Sequence, residues 1–179
     1  MTVTSSGFPI EGDYLIMWST SPKFDSGKTV TIKSGSLPNG SLALTESFNI
    51  PESPMGLYYV GFIRPGREES YPPFSYSVVP RIKVQPVQVT PGATVTVYGS
   101  GLPADDTDIL SFDGKALTMN ITSNKSGSFS IDYMVPATIA GEHQFTVSST
   151  KVSAGIPAAI LVVTPSITLS TNARMRGRV

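Results

Sequence analysis

The chain has no cysteine in its 179 residues, so no disulfide framework, thiolate metal site or thiol nucleophile enters its chemistry. Charge is scarce as well. Thirteen basic and 13 acidic residues give a formal net charge of zero, which removes the usual electrostatic reason to expect nucleic acid or an anionic membrane surface as partner. A near-neutral surface also associates easily, which suits an assembly component. No apolar stretch reaches bilayer-spanning length, so membrane insertion is not expected, and the N-terminus lacks the basic start and apolar run of a signal peptide. The expectation is a soluble chain that, if exported, has lost a leader or is a piece of something longer. Catalytic constellations are missing too: paired acids in an apolar cleft, a zinc-ligand cluster and a phosphate-binding glycine loop do not occur, and the one histidine has a structural explanation given below. The chain is not expected to be an enzyme.

What is present is a duplication. Thr2-Val3-Thr4-Ser5-Ser6-Gly7-Phe8-Pro9 matches Thr94-Val95-Thr96-Val97-Tyr98-Gly99-Ser100-Gly101-Leu102-Pro103, and an apolar run follows each, Tyr14 to Trp18 and Asp108 to Phe112. Further on, Phe48-Asn49-Ile50-Pro51 to Gly56-Leu57-Tyr58-Tyr59-Val60 parallels Tyr133-Met134-Val135-Pro136 to Gly141-Glu142-His143-Gln144-Phe145. Internal repetition of this kind marks a building element of an array before it marks any chemistry.

Helical periodicity is nearly absent, whereas short alternating runs recur between glycine, proline, asparagine and aspartate clusters. With 16 glycines and 15 prolines the chain is suited to a loop-rich all-β protein. In the first copy, strands are expected at Thr2 to Ser5, Tyr14 to Trp18, Thr29 to Lys33, Ser41 to Ile50, Leu57 to Ile63 and Phe74 to Val79. In the second they are expected at Ile82 to Val89, Thr94 to Tyr98, Asp108 to Phe112, Ala116 to Thr122, Ser128 to Val135, Glu142 to Ser148 and Ala158 to Val163. Asp113-Gly114, Asn39-Gly40, Ser126-Gly127 and Pro91-Gly92 fall between strands, where positive φ is wanted. Seven short strands in roughly 85 residues describe an immunoglobulin-like β-sandwich. The fold class is therefore all-β, two tandem sandwiches over 1–80 and 81–165, the first lacking its own first strand. The junction near Pro80 to Pro86 has no flexible linker and favours a stiff pair of domains.

Gly56-Leu57-Tyr58 opens the penultimate strand, where many such domains place a tyrosine whose hydroxyl bonds back to upstream backbone. The second copy puts His143 there, a structural aromatic position. Trp18 and its counterpart Phe112 are expected in the core between the sheets. The alternative is a sugar-stacking platform with Tyr58, Tyr59, Tyr71, Phe74 and Tyr76.

Val89-Thr90-Pro91-Gly92-Ala93-Thr94-Val95-Thr96-Val97-Tyr98-Gly99-Ser100-Gly101-Leu102-Pro103, with Gly127-Ser128-Phe129-Ser130 and Gly141-Glu142-His143-Gln144-Phe145-Thr146-Val147, resembles the Ig-like repeats of prokaryotic cell-surface proteins, including IPT/TIG-like modules. The resemblance implies a mechanical or adhesive role in a surface layer, adhesin or extracellular filament, at the cell surface. A virion or tail protein, and a carbohydrate-binding or spacer module of a secreted enzyme, are the alternatives. Fold-level likeness does not choose among them.

The phase of the repeat points to where neighbours attach. The first copy begins at the equivalent of the second copy's second strand, and Pro165-Ser166-Ile167-Thr168-Leu169-Ser170-Thr171 after the last strand reads like Arg81-Ile82-Lys83-Val84-Gln85, the first strand of a further module. Two explanations follow: a segment cut from a tandem array, favoured because Met1 falls inside an expected strand, or a spare strand (166–179) that fills the gap in another subunit. Either way self-association or neighbouring repeats are the expected partners. The expected contact residues are Thr2, Val3, Thr4 and Ser5 on one side and Ile167, Thr168, Leu169, Ser170 and Thr171 on the other, with the loop Arg64 to Pro73 as a further contact surface.

Three other features carry expectations. Asp105, Asp106 and Asp108, with Asp113 at the next turn, are carboxylates that could hold calcium if backbone carbonyls complete the shell; the bland alternative is a solvated polar loop. Asn39, Asn120 and Asn124 lie in glycosylation sequons. Arg174, Arg176 and Arg178 form a basic tail expected to anchor a strand terminus.

Overall fold

The computed structural model describes residues 1–6, 12–25, 27, 29–41, 43–66, 72–137 and 140–165. The first repeat supplies β1 (Thr2–Ser6), β2 (Gly12–Ser19), β3 (Thr29–Leu37), β4 (Ala43–Ser47), β5 (Gly56–Ile63) and β6 (Phe74–Val78). The second supplies β7 (Arg81–Gln85), β8 (Gln88–Val89), β9 (Thr94–Ser100), β10 (Thr107–Phe112), β11 (Lys115–Thr122), β12 (Phe129–Met134), β13 (Gly141–Ser148) and β14 (Ala159–Val163). Every expected strand is present, with two differences. The segment expected as one strand over Ile82–Val89 is two, β7 and β8, in different sheets; Pro86 between them has no N–H to donate to a ladder. The segment expected at Ser41–Ile50 contracts to β4, beyond which the Phe48 N–H donates to Met1 O at 2.9 Å and the Met1 ammonium to Phe48 O at 2.7 Å.

In the first repeat a four-stranded sheet, β3-β2-β5-β6, faces a two-stranded sheet, β1-β4. Alternation along β2 turns Tyr14, Ile16 and Trp18 inward, and β5 contributes Tyr58 and Val60; with Leu44 and Phe48 they form one core cluster. Polar ties cross between the sheets. The Tyr14 hydroxyl donates to Glu46 on β4, and Lys33 on β3 pairs with the same carboxylate. Gly61 is required by close approach: a Cβ there would overlap the ring of Phe24.

In the second repeat a five-stranded sheet, β11-β10-β13-β14-β8, faces a three-stranded sheet, β12-β9-β7. Inward residues come from alternate positions: Val95 and Val97 on β9, Leu110 and Phe112 on β10, His143, Phe145 and Val147 on β13, Ala159, Leu161 and Val163 on β14. β8 joins β14 in parallel, with Val162 N–H donating to Val87 O and Thr164 N–H to Val89 O, both at 2.8 Å. β7 lies beside β9 in the other sheet. One stretch of chain therefore serves both sheets, a strand that changes sheets at Pro86.

The described residues divide into two compact units. One lies within Met1–Arg81 with Ser100–Asp106 and Thr122–Ser128; the other within Ile82–Gly99, Thr107–Ile121 and residues 129–165. Within the first unit the buried Leu102 receives the Met55 N–H on its carbonyl at 3.0 Å and donates its own N–H to Gly127 O at 2.9 Å. Gly127, at φ +69°, leaves no room for a Cβ between Leu102 O and Pro54.

Candidate functional site

The two repeats superpose strand for strand in register. Trp18 lies opposite Val60, and Phe112 lies opposite Phe145; Tyr58 lies opposite Tyr76, and His143 opposite Leu161. β1 is then the equivalent of β9, and β6 of β14. In the second repeat β9 is flanked by β7, and β14 by β8. Among the described residues the first repeat has no strand at either place, so β1 and β6 each have one neighbour, β4 and β5.

This leaves two edges and the space between them. On β1, Thr2 pairs with Ser47, Val3 with Glu46, Thr4 with Thr45 and Ser5 with Leu44, all on the β4 side. The Thr2 hydroxyl sits 2.9 Å from that of Ser47. On β6 the alternation of Phe74, Tyr76 and Val78 points to the interior, since Tyr76 meets the Trp18 ring at 5.7 Å and Val78 packs on the core cluster. Yet Phe74 is 57% and Tyr76 37% exposed, against 6% and 0% for their equivalents Ala159 and Leu161. Reading by residues pointed to β1 and missed β6. Pro86 marks where the ladder of the second copy's first strand must break, but not that its two halves enter different sheets. The proposed complementary residues Ile167, Thr168, Leu169, Ser170 and Thr171, and the arginines of the tail, lie outside the described residues.

The remaining candidates have local roles. His143 is 7% exposed; its ring stacks on Phe112 at 5.5 Å and its Nδ1 lies 2.6 Å from Asp113 Oδ2. Asp113 sits at the turn after β10 with φ 49° and also accepts the Gln144 N–H at 2.9 Å. Burial works to raise the Asp113 pKa, but the hydrogen bonds from His143 and Gln144 outweigh it and hold the carboxyl below its usual range. An ionised carboxylate only accepts, so Nδ1 carries the proton in this pair. Asp105 and Asp106 precede β10 at its other end, tied by Asp105 N–H to Asn124 O and Asp106 N–H to Ser123 Oγ. Asp108 is buried within the strand. The four aspartates expected as calcium ligands thus fall along and beyond a six-residue strand, and among the described residues no three acidic or histidine side chains gather around one point.

Asn39, Asn120 and Asn124 are exposed, and Asn124 Oδ1 accepts the N–H groups of Ser126 and Ser128. Arg64, at the start of the expected contact loop, is buried at 3%; residues 67–71, Tyr71 among them, lie outside the described set. Trp18 is 4% exposed, stacked on Tyr58 at 4.7 Å, and its Nε1–H donates to Ser53 Oγ at 3.1 Å. It is a core residue, as is Tyr58, whose hydroxyl donates to Pro54 O at 3.0 Å. That is the backbone tie expected of a tyrosine at this strand entry.

The fold defines the class: tandem Ig-like β-sandwich domains. Comparison with protein-family models and with curated proteins gives no match. Among solved structures the chain is similar to the D0-D1 domain of intimin, at 11% identity over 90% of this chain and 89% of that one, TM-score 0.33. It is also similar to the BSP domain of a biofilm-associated protein, at 15% identity over 94% and 28%, TM-score 0.33. A third is a putative membrane-anchored protein from Corynebacterium diphtheriae, at 9% identity over 98% and 51%, TM-score 0.38. This chain spans about half or less of the last two. At such identities and scores these likenesses assign no function.

Proposed function

We propose that the chain is a structural, non-enzymatic module of an extracellular cell-surface assembly, a surface-layer, filament or adhesin repeat of the IPT/TIG-like kind, that spaces and links by Ig-like packing. The observation that carries this reading is the inequality of the repeats: in the second, β7 covers the outer side of β9 and β8 that of β14, while among the described residues nothing pairs with the corresponding sides of β1 and β6, beside partly exposed inward aromatics. Exposed strand edges are aggregation liabilities unless something pairs with them, so a chain that keeps them is suited to association. The one histidine, packed on Phe112 and bonded to Asp113, supports a structural over a catalytic use. The exposed sequon asparagines Asn39, Asn120 and Asn124 are the glycan attachment sites of this reading. Immunogold labelling of intact cells that express the protein natively tests it. Labelling of an ordered outer layer or thread is expected, and label confined to the cell interior would overturn it.

A further inference from the structure

By register the unpaired sides of β1 and β6 correspond to the sides of β9 and β14 that one stretch of chain, β7 and β8, covers in the second repeat. There the chain leaves β7 beside β9, passes Pro86 and enters β8 parallel to β14, burying Val84 to 3% and Val89 to 8% exposure. Its hydrogen bonds come from the N–H groups of Val162 and Thr164. By register their counterparts in the first repeat are Ser77 and Val79, on the outer side of β6. The inward face exposed beside the β6 edge is Phe74 and Tyr76.

The chain also carries a segment of the form these edges take. After β6 comes Val79-Pro80-Arg81-Ile82-Lys83-Val84-Gln85, in which Pro80 ends one sandwich and β7 begins the next. After β14 comes Thr164-Pro165-Ser166-Ile167-Thr168-Leu169-Ser170, with the proline and both apolar residues at the same offsets. By this match Ile167 and Leu169 stand at the sequence positions that Ile82 and Val84 hold after β6.

We propose that the groove between β1 and β6 is an acceptor site for residues 166–179 of a second copy of this chain. Ile167–Thr171 adds to the free edge of β1 as β7 adds to β9, and the residues after it cross to β6 as β8 crosses to β14. Main-chain hydrogen bonds supply affinity, and the alternate apolar side chains set register. Because donor and acceptor are different surfaces, the contact is head-to-tail and open, and it propagates into a linear filament. The inference rests on the reading of the chain as an assembly module and names the partner of that module's open edge.

Two substitutions in the full chain test it by light scattering over a concentration series. Ser77→Pro removes an edge N–H on the side away from β5, where proline is tolerated, and spoils the acceptor alone. Leu169→Asp, in the donor segment, spoils the donor alone. The unaltered chain is expected to form concentration-dependent oligomers, and each variant to need at least about tenfold higher concentration to associate. Mixing the two variants is expected to restore one good contact and yield a 1:1 dimer that grows no further. A full chain that stays monomeric, or a Leu169→Asp variant that associates as well as the parent, overturns the proposal even if Ser77→Pro fails to fold. Such a result leaves surface labelling unaffected, whereas interior labelling with intact oligomers would overturn the functional reading and spare the groove.

Discussion

The same inward position has opposite surroundings in the two sandwiches. Leu161 on β14 is fully buried because β7 and β8 close the side of the second sandwich; Tyr76 on β6, its register equivalent, is 37% exposed because no described strand closes the first. The cores behind these positions remain alike. Trp18 stacks on Tyr58 in one and Phe112 on His143 in the other, across the same pair of strands. The contrast separates what holds an Ig-like sandwich together, the layer between its central strands, from what completes it, the strand at its edge. A completing strand can be supplied from outside without rebuilding the core.

The largest expected difference follows from that separation. Leu161→Ala should cost about 2–5 kcal/mol, because a closed core keeps the cavity, whereas Tyr76→Ala should cost about 1 kcal/mol or less. Denaturant unfolding checks both, with Trp18 emission reporting the first sandwich, since it is the single tryptophan, and far-UV circular dichroism reporting the whole. Equal losses would mean that β6 is covered. Next in size, Tyr58→Phe removes the hydroxyl bond to Pro54 O and should destabilise the first sandwich by about 1 kcal/mol.

Smaller effects distinguish the repeats by pH. Asp113 has its pKa lowered in the folded state, so its contribution is complete above the unfolded aspartate value of about 3.9 and is lost as pH falls through the folded pKa. Asp113→Asn, which tolerates the left-handed φ, should remove that part of the acid dependence while the first sandwich keeps its own. On the alkaline side the first repeat responds. Tyr14 donates to Glu46 and is buried, which pushes its pKa up to about 12. Its contribution is full below the ordinary tyrosine value of about 10 and fades as pH rises toward 12, which ultraviolet phenolate absorbance can follow. Glu46→Gln should bring that titration back toward 10.

Much of this fold was legible because its strands are half-buried and alternate, so periodicity located nearly all of them, and because Tyr58 and Trp18 stand at positions with a mechanical reason for an aromatic. The site was only half legible. Matching the run Thr2 to Pro9 to Thr94 to Pro103 pointed to the edge of β1, but the edge of β6 depends on Pro86 sending one strand into two sheets, a tertiary event with no periodic signature. The aspartates are kept apart for a geometric reason. Asp105 and Asp113 look close in sequence, but an extended strand of six residues holds its ends about 20 Å apart, and Asp113 turns to His143 instead.

Residue-resolved hydrogen exchange of the full chain, dilute and then concentrated, tests the central claim most directly. At dilution the amides of Val162 and Thr164 should be strongly protected and those of their counterparts Ser77 and Val79 nearly free; on concentration, of these four, Ser77 and Val79 alone should gain protection. Equal protection of the two pairs at dilution would contradict the open groove, and no gain on concentration would contradict its filling by a second copy.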